Sequence, residues 1–424
     1  MLEPDEWNEE RDRRARARAE RREHRGEPRA RPGGALLGTR WGRALAGAVA
    51  VLAAATALGL VLMWPGDIRP TAQGEALGGP TVAATTTRAR EVPCGGPVAQ
   101  RCRRIDVRIG QGRDRGRTVP ITLGPVDVVS KLDAGTKVRV SRVQAPPGAT
   151  SAEAYALVGV DRRGTLLWLL VAFAALVVVL TRWRGLLALC GFGLSLLLVT
   201  QFIVPGILAG SPAVLISLVG SLAVMFVTVV LTYGVSAQSL AASLGIALSL
   251  GFAAVAGTLA VDSAALDGRS GELSTVLSQT NSAISLQGIV LAGLVIGALG
   301  VLADMGVTQA SAVMALRRAN PRLSVLGLYR GAFTVGRDHL VATTHTLVLA
   351  YVGATLPLLL VLRTTGVALP DALNTQDIAE PVIATLVGSM ALLVSVPLTT
   401  ALAAALVHRV PAAALPVTGA SHHH

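Results

Sequence analysis

The chain has 424 residues; 52% are hydrophobic, only 15% are charged, and the net charge is +12. Soluble domains carry about 25% charged residues, so this composition excludes a purely water-soluble protein and points to a polytopic membrane protein. The cationic charge is nearly all Arg, with Lys at Lys131 and Lys137 alone, and Ala, Gly and Val abound, as in a GC-rich bacterial genome.

Residues 1–43 form an Arg-rich arm containing EERDRRARARAERREHRGEPRARPGG. It reads as a cytoplasmic tail that enforces orientation, or as a polybasic segment that adheres to anionic lipid. No aromatic interleaving supports nucleic-acid binding. Residues 44–64 follow as an apolar run, Ala44–Trp64, long enough to span a bilayer. Arg40 and Arg43 flank its start, and no convincing cleavage site follows, so it is expected to be a retained anchor with its N-terminus inside.

Residues 65–163 are a soluble insert expected outside the cytoplasm. Strand-like runs at Thr81–Val92, Arg103–Ile109, Thr118–Leu123, Lys137–Gln144 and Tyr155–Val160 alternate with glycine-punctuated turns. They predict a small all-β domain, OB-like or another small barrel. Cys94 and Cys102, within VPCGGPVAQRC, share an oxidising compartment on this reading and are expected to form a disulfide. Cys190 lies in an apolar run and reads as a packed small residue.

Residues 164–408 are almost all span. Thr165–Thr181, Leu186–Leu208, Ala213–Tyr233, Leu240–Val261, Gln287–Ala303, Val341–Leu362 and Val382–Val407 make about eight spans with the anchor. The predicted fold is therefore mostly α, a polytopic helical bundle with the β-domain inserted after the first span. Arg182, Arg184, Arg317, Arg318, Arg322, Arg330, Arg337 and Arg409 fall in connections assigned inside, which puts both termini in the cytoplasm. A cytoplasmic hairpin is expected over residues 304–340. It has a boundary at Asn320-Pro321 and an amphipathic segment, Leu323–Phe333, expected in the headgroup plane. Residues 409–424 are a tail; His422–His424 read as a tag remnant or chance.

Ionisable groups near the bilayer are costly and often functional. Asp304, Asp338 and His345 are expected in one polar pocket between the sixth and seventh spans, with Gln309, Arg337, His339 and Tyr351 as further candidates. Asp338 and His345, seven residues apart, share a helix face. Three readings stay open: structural ion pairs and hydrogen bonds, a proton or ion path through His345, and a metal site of Asp304, His339 and His345. Pro205, Pro357 and Pro397 allow broken helices. GxxxG spacing at Gly293–Gly297, and small residues at Ala241, Gly245 and Ser249, predict close helix packing. No catalytic triad, phosphate loop, HExxH, CxxC or dinucleotide fingerprint stands where it could work. The expectation is a non-enzyme with no cofactor and no resident metal; its partners are the lipid bilayer and a second copy in a homo-oligomer, with no nucleic acid.

GALGVLADMGVTQAS, RRANPRLS, VGRDHLVATTHTLVLAYVGATLPLLL and VGSMALLVSVPLTTALAA resemble the YibE/F family of bacterial multispanning membrane proteins. The resemblance extends over roughly residues 80–407 and implies a bacterial plasma-membrane location. Two departures stand out: Ala303-Asp304 replaces an acidic pair, and His345 replaces an Asn. Two function classes follow. One is a transporter or permease with the β-domain as gate or receiver. The other is a membrane scaffold or sensor whose β-domain binds an envelope partner.

Overall fold

The computed structural model describes residues 40–66, 81–94, 100–126, 132–142, 155–270 and 284–409. In hydrocarbon the backbone must bond to itself, so long apolar runs become helices. Among the described residues eight helices are long and apolar enough to cross a membrane, and the structure is 71% helical. It divides into two compact units; one boundary follows Trp64, and another falls inside a helix, between Cys190 and Gly191.

The smaller unit holds the sheet: β1 (Thr81–Pro93), β2 (Arg101–Ile109), β3 (Thr118–Pro125), β4 (Lys137–Arg142) and β5 (Tyr155–Val160). The strands pair antiparallel in the order β3-β2-β1-β4-β5. The long β1 pairs with β4 over its first residues and with β2 over the rest. The sheet is curled, and β3 and β5 are left as edges, the strand order of an open OB-like barrel. Alternate residues of β2, β3 and β4 point inward: Ile105, Val107, Ile109, Val119, Ile121, Val138 and Val140 are buried together. A Cys94–Cys102 disulfide, Cα–Cα 5.0 Å, ties the end of β1 to the start of β2. Gly116 turns the chain back into β3 at φ +85°, a conformation that favours glycine.

The helices, in chain order, are α1 (Arg40–Leu62), α2 (Arg163–Thr181), α3 (Trp183–Leu198), α4 (Val204–Leu208), α5 (Ala213–Tyr233), α6 (Ala237–Ser263), α7 (Leu286–Ala319), α8 (Val325–Thr364), α9 (Leu369–Leu373) and α10 (Gln376–Val407). α2 and the start of α3 belong with the sheet; the other helices form the larger unit. A π-helical turn, Val199–Ile203, joins α3 to α4, just before Pro205, which has no N–H to donate. Pro357 and Pro397 lie inside continuous helices, so the breaks allowed there do not form. The free thiol of Cys190 is exposed rather than packed.

α6, α7 and α10 form the centre of the larger unit. Ala242, Ile246 and Leu250 of α6 bury against Leu302 and Val313 of α7 and Ala391 and Ala403 of α10. Gly245 permits the closest approach: a Cβ there would lie 2.0 Å from Thr399 Oγ1 and 3.0 Å from Thr399 Cα. Gly293 has no such role, since nothing lies within 4 Å of its missing Cβ.

The hairpin differs from expectation. α7 and α8 run 34 and 40 residues, so the bend shrinks to residues 320–324. Asn320 ends α7, as its place before Pro321 predicts, and Ser324 caps α8 by accepting from Gly327 N–H. The amphipathic segment Leu323–Phe333 is largely the first turns of α8. No breaker separates it from the span, and Leu328, Ala332 and Gly336 are buried. Their four-residue spacing makes one face, and protein covers that face in place of headgroups.

Candidate functional site

The ionisable candidates lie along the two long helices: Asp304 near the middle of α7, and Arg337, Asp338 and His339 more than three turns into α8. Asp304 of α7 faces His339 of α8, Oδ2 to Nε2 3.8 Å, and Arg337 and Asp338 pair at 3.9 Å. All four side chains are well exposed, from 43% for His339 to 80% for Asp338; pairs of this kind are worth about 0–1 kcal/mol. His345 is exposed on α8, and its side chain bonds to no described residue. Thus Asp304 is brought to His339, while Asp338 and His345 face outward. Length explains why charges are tolerated here. A helix of 40 residues is about 60 Å long, against about 30 Å of hydrocarbon, so an end has room to stand in water.

Gln309, one turn beyond Asp304, is placed differently. It is 1% exposed at the junction of α7, α8 and α10. Its Oε1 accepts from Thr400 Oγ1 of α10 at 3.0 Å. The same hydroxyl reaches Val396 O at 2.6 Å and has one proton for two acceptors. With the amide turned over, Gln309 donates to Thr400 and both bonds are satisfied. Gly336 admits this amide: a Cβ there would lie 2.3 Å from Gln309 Nε2.

Other uncharged polar groups continue from Gln309. Gln238 of α6 donates to Ser311 of α7 at 2.5 Å. Ser249 of α6 donates to Gly245 O at 2.8 Å, beside Thr399. The hydroxyls of Ser221, Ser395 and Thr399 are buried without a partner among the described residues. An unmatched hydroxyl in an apolar interior is costly, so three of them within spans are the least expected groups in the bundle. Thr400, Thr399 and Ser395 were missed as candidates; their one signal is the polar run in SVPLTT, inside a string already notable. Tyr351, also a candidate, lines an apolar crevice of about 200 Å³ between α8 and α10 with Val348, Thr355, Pro381 and Thr385.

The β-domain carries a second polar feature. A cleft of about 400 Å³ between the β3 and β5 edges is lined by Arg104, Pro120, Thr122, Leu123, Tyr155 and Leu157. Nearby arginines are paired with acids: Arg90 with Asp106 at 3.0 Å, and Arg117 and Arg142 share Asp114 at 3.7 and 3.9 Å. Arg104 Nε is buried with no partner among the described residues. Tyr155 OH donates to Asp114 Oδ2 at 2.5 Å. That bond, helped by Arg142 and Arg117, holds the Asp114 carboxyl below its usual 3.8, while burial and Asp114 push the Tyr155 hydroxyl up.

Eight long apolar helices among the described residues, with a small sheet following the first of them, define a multi-pass membrane protein. Residues 169–409 match the YibE/F-like protein family. That is more than half of the chain, which belongs to this family. The matched region takes in most of α2 and all of α3 to α10; it leaves out α1, and also the sheet, which lay within the sequence resemblance. No curated protein and no solved structure matches the chain.

Proposed function

We propose that the protein is a transporter or permease for a solute or ion, with α6, α7 and α10 forming its route. One observation carries the reading: buried amide and hydroxyl groups, centred on Gln309, Ser395, Thr399 and Thr400, lie inside apolar spans with bonding capacity to spare. Packing alone does not call for unmatched hydroxyls, whereas a desolvated solute does. The reading assigns the protein no chemical step. It puts both termini in the cytoplasm, because Arg clusters in the connections taken as inside. A cysteine at Ser324 would then resist an impermeant thiol reagent in intact cells, and one at Thr118 would react.

The test of transport is flux by the purified protein in liposomes across a panel of ions and small solutes. Flux that falls in Gln309→Leu supports the route. Absence of flux across the panel favours the second reading, a scaffold or sensor, for which the buried Arg104 Nε in the β-domain cleft, without a partner among the described residues, is the specific observation. That reading expects an anionic envelope ligand whose binding is lost in Arg104→Ala.

A further inference from the structure

α1 lies outside the family region, yet it packs on helices inside it. The tight contact is near its end. A Cβ on Gly59 would lie 3.0 Å from a Val219 side-chain atom of α5, and Trp64, just beyond α1, meets Phe202 with ring centroids 5.8 Å apart. Nearer its start the same helices leave a gap. A crevice of about 340 Å³ opens between Ala46, Ala50 and Ala53 of α1, Phe226 and Val230 of α5, and Leu240 of α6. The lining is almost wholly apolar. The alanines cause the gap, since they fill little of the space between diverging helices.

The crevice has a charged mouth. Arg43, Ala46, Ala50 and Ala53 follow one another at three- and four-residue spacing, so all four share a face of α1. Arg43 and Arg40 are exposed, and neither pairs with an acid among the described residues. α6 also begins at this end. Its cap residue Ser236 and the adjoining Val235 and Ser239 stand beside the crevice, and a helix start carries partial positive charge.

We propose that this crevice binds one anionic phospholipid. An acyl chain lies between α1 and the α5–α6 pair, and the phosphate is held by Arg40 and Arg43 at the start of α1. A zwitterionic lipid supplies the same tail but brings an ammonium toward two arginines and a helix start. The bound lipid fills the space between the anchor and the family bundle, and so holds α1 in place. This goes beyond the transport reading and stands without it.

The full-length protein, purified in detergent, is titrated with phosphatidylglycerol or phosphatidylcholine of identical acyl chains. Native mass spectrometry reads retained lipid, and thermal unfolding reads stabilisation. The expected preference for phosphatidylglycerol is about thirtyfold, or ~2 kcal/mol, taking about 1 kcal/mol for each arginine near the headgroups. The double variant Arg40→Ala, Arg43→Ala drops phosphatidylglycerol retention to the phosphatidylcholine level. Ala50→Phe fills the crevice and abolishes retention of either lipid; Ala53→Leu does the same more gently should Ala50→Phe not fold. Glycerol 3-phosphate, a headgroup without a tail, gives no stabilisation. Equal retention of the two lipids by the wild type, or undiminished retention in the folded crevice-filling variant, overturns the proposal. So does stabilisation by glycerol 3-phosphate equal to that by the lipid.

Discussion

α8 and α10 are both long, apolar and interrupted by proline in sequence, yet the bundle uses them oppositely. α10 buries residues along its whole length, from Ile378 to Val407. α8 buries Leu328, Ala332 and Gly336 in its first turns and nothing beyond. The ionisable groups that dominate a reading of the sequence sit at the middle of α7 and on α8. The buried groups with unmet bonding capacity sit on α10 and the helices that grip it. A buried hydroxyl has only the groups packed around it as partners; an exposed charge is not so confined.

The largest effects test where the two helices are gripped. Gly245→Ala sets a Cβ 2.0 Å from Thr399 Oγ1, an overpacking expected to cost about 1–3 kcal/mol. Thr399→Ala in the same protein should restore part of it, a coupling read by a double-mutant cycle in thermal or denaturant unfolding. Gly336→Ala, pressing on Gln309, should cost a similar amount although it lies on the peripheral helix. A silent Gly336→Ala would mean that α8 is not inserted at its start.

Gln309→Leu breaks one interhelical bond, worth about 0.6 kcal/mol by the average in membrane bundles. Stability should fall slightly while flux in liposomes falls severely. Equal loss of both would reduce the polar seam to packing.

The β-domain gives a pH-dependent counterpart. The folded pKa of Asp114 lies below its usual 3.8, chiefly through the Tyr155 hydroxyl. A depressed carboxylate contributes its stability above the unfolded pKa and loses it as pH falls through the folded one. Protection of the β5 amides against hydrogen exchange should therefore fall below about pH 4. Asp114→Asn should raise exchange at neutral pH and flatten the acid response; an unchanged acid response would assign it to other carboxylates.

The smallest effect is expected at His345. Exposed and without a described partner, His345→Ala should change stability by no more than about 0.5 kcal/mol. A larger loss would reveal that this part of α8 is covered in the membrane, by a second copy or another partner. Loss of pH-dependent flux with unchanged stability would instead return His345 to the working site.

The eight helices and five strands were legible in the sequence because their signals are local. A run such as Ala213–Tyr233 cannot meet its backbone bonds in lipid except as a helix, and Val138, Val140 and their alternating neighbours declare a half-buried strand. The small residues Ala241, Gly245 and Ser249 likewise announced a close crossing. The order of the curled sheet, the junction at Gln309 and the crevice beside α1 were decided by tertiary structure alone. Hydropathy barely distinguishes Ser395, Thr399 and Thr400 from their apolar neighbours. Whether such a hydroxyl meets lipid, carbonyl or nothing depends on which helix crosses it and at what distance. The same holds for Asp304 and Asp338: the sequence marked them as costly, but the reach of α7 and α8 beyond a bilayer's thickness determined how little they need to pair.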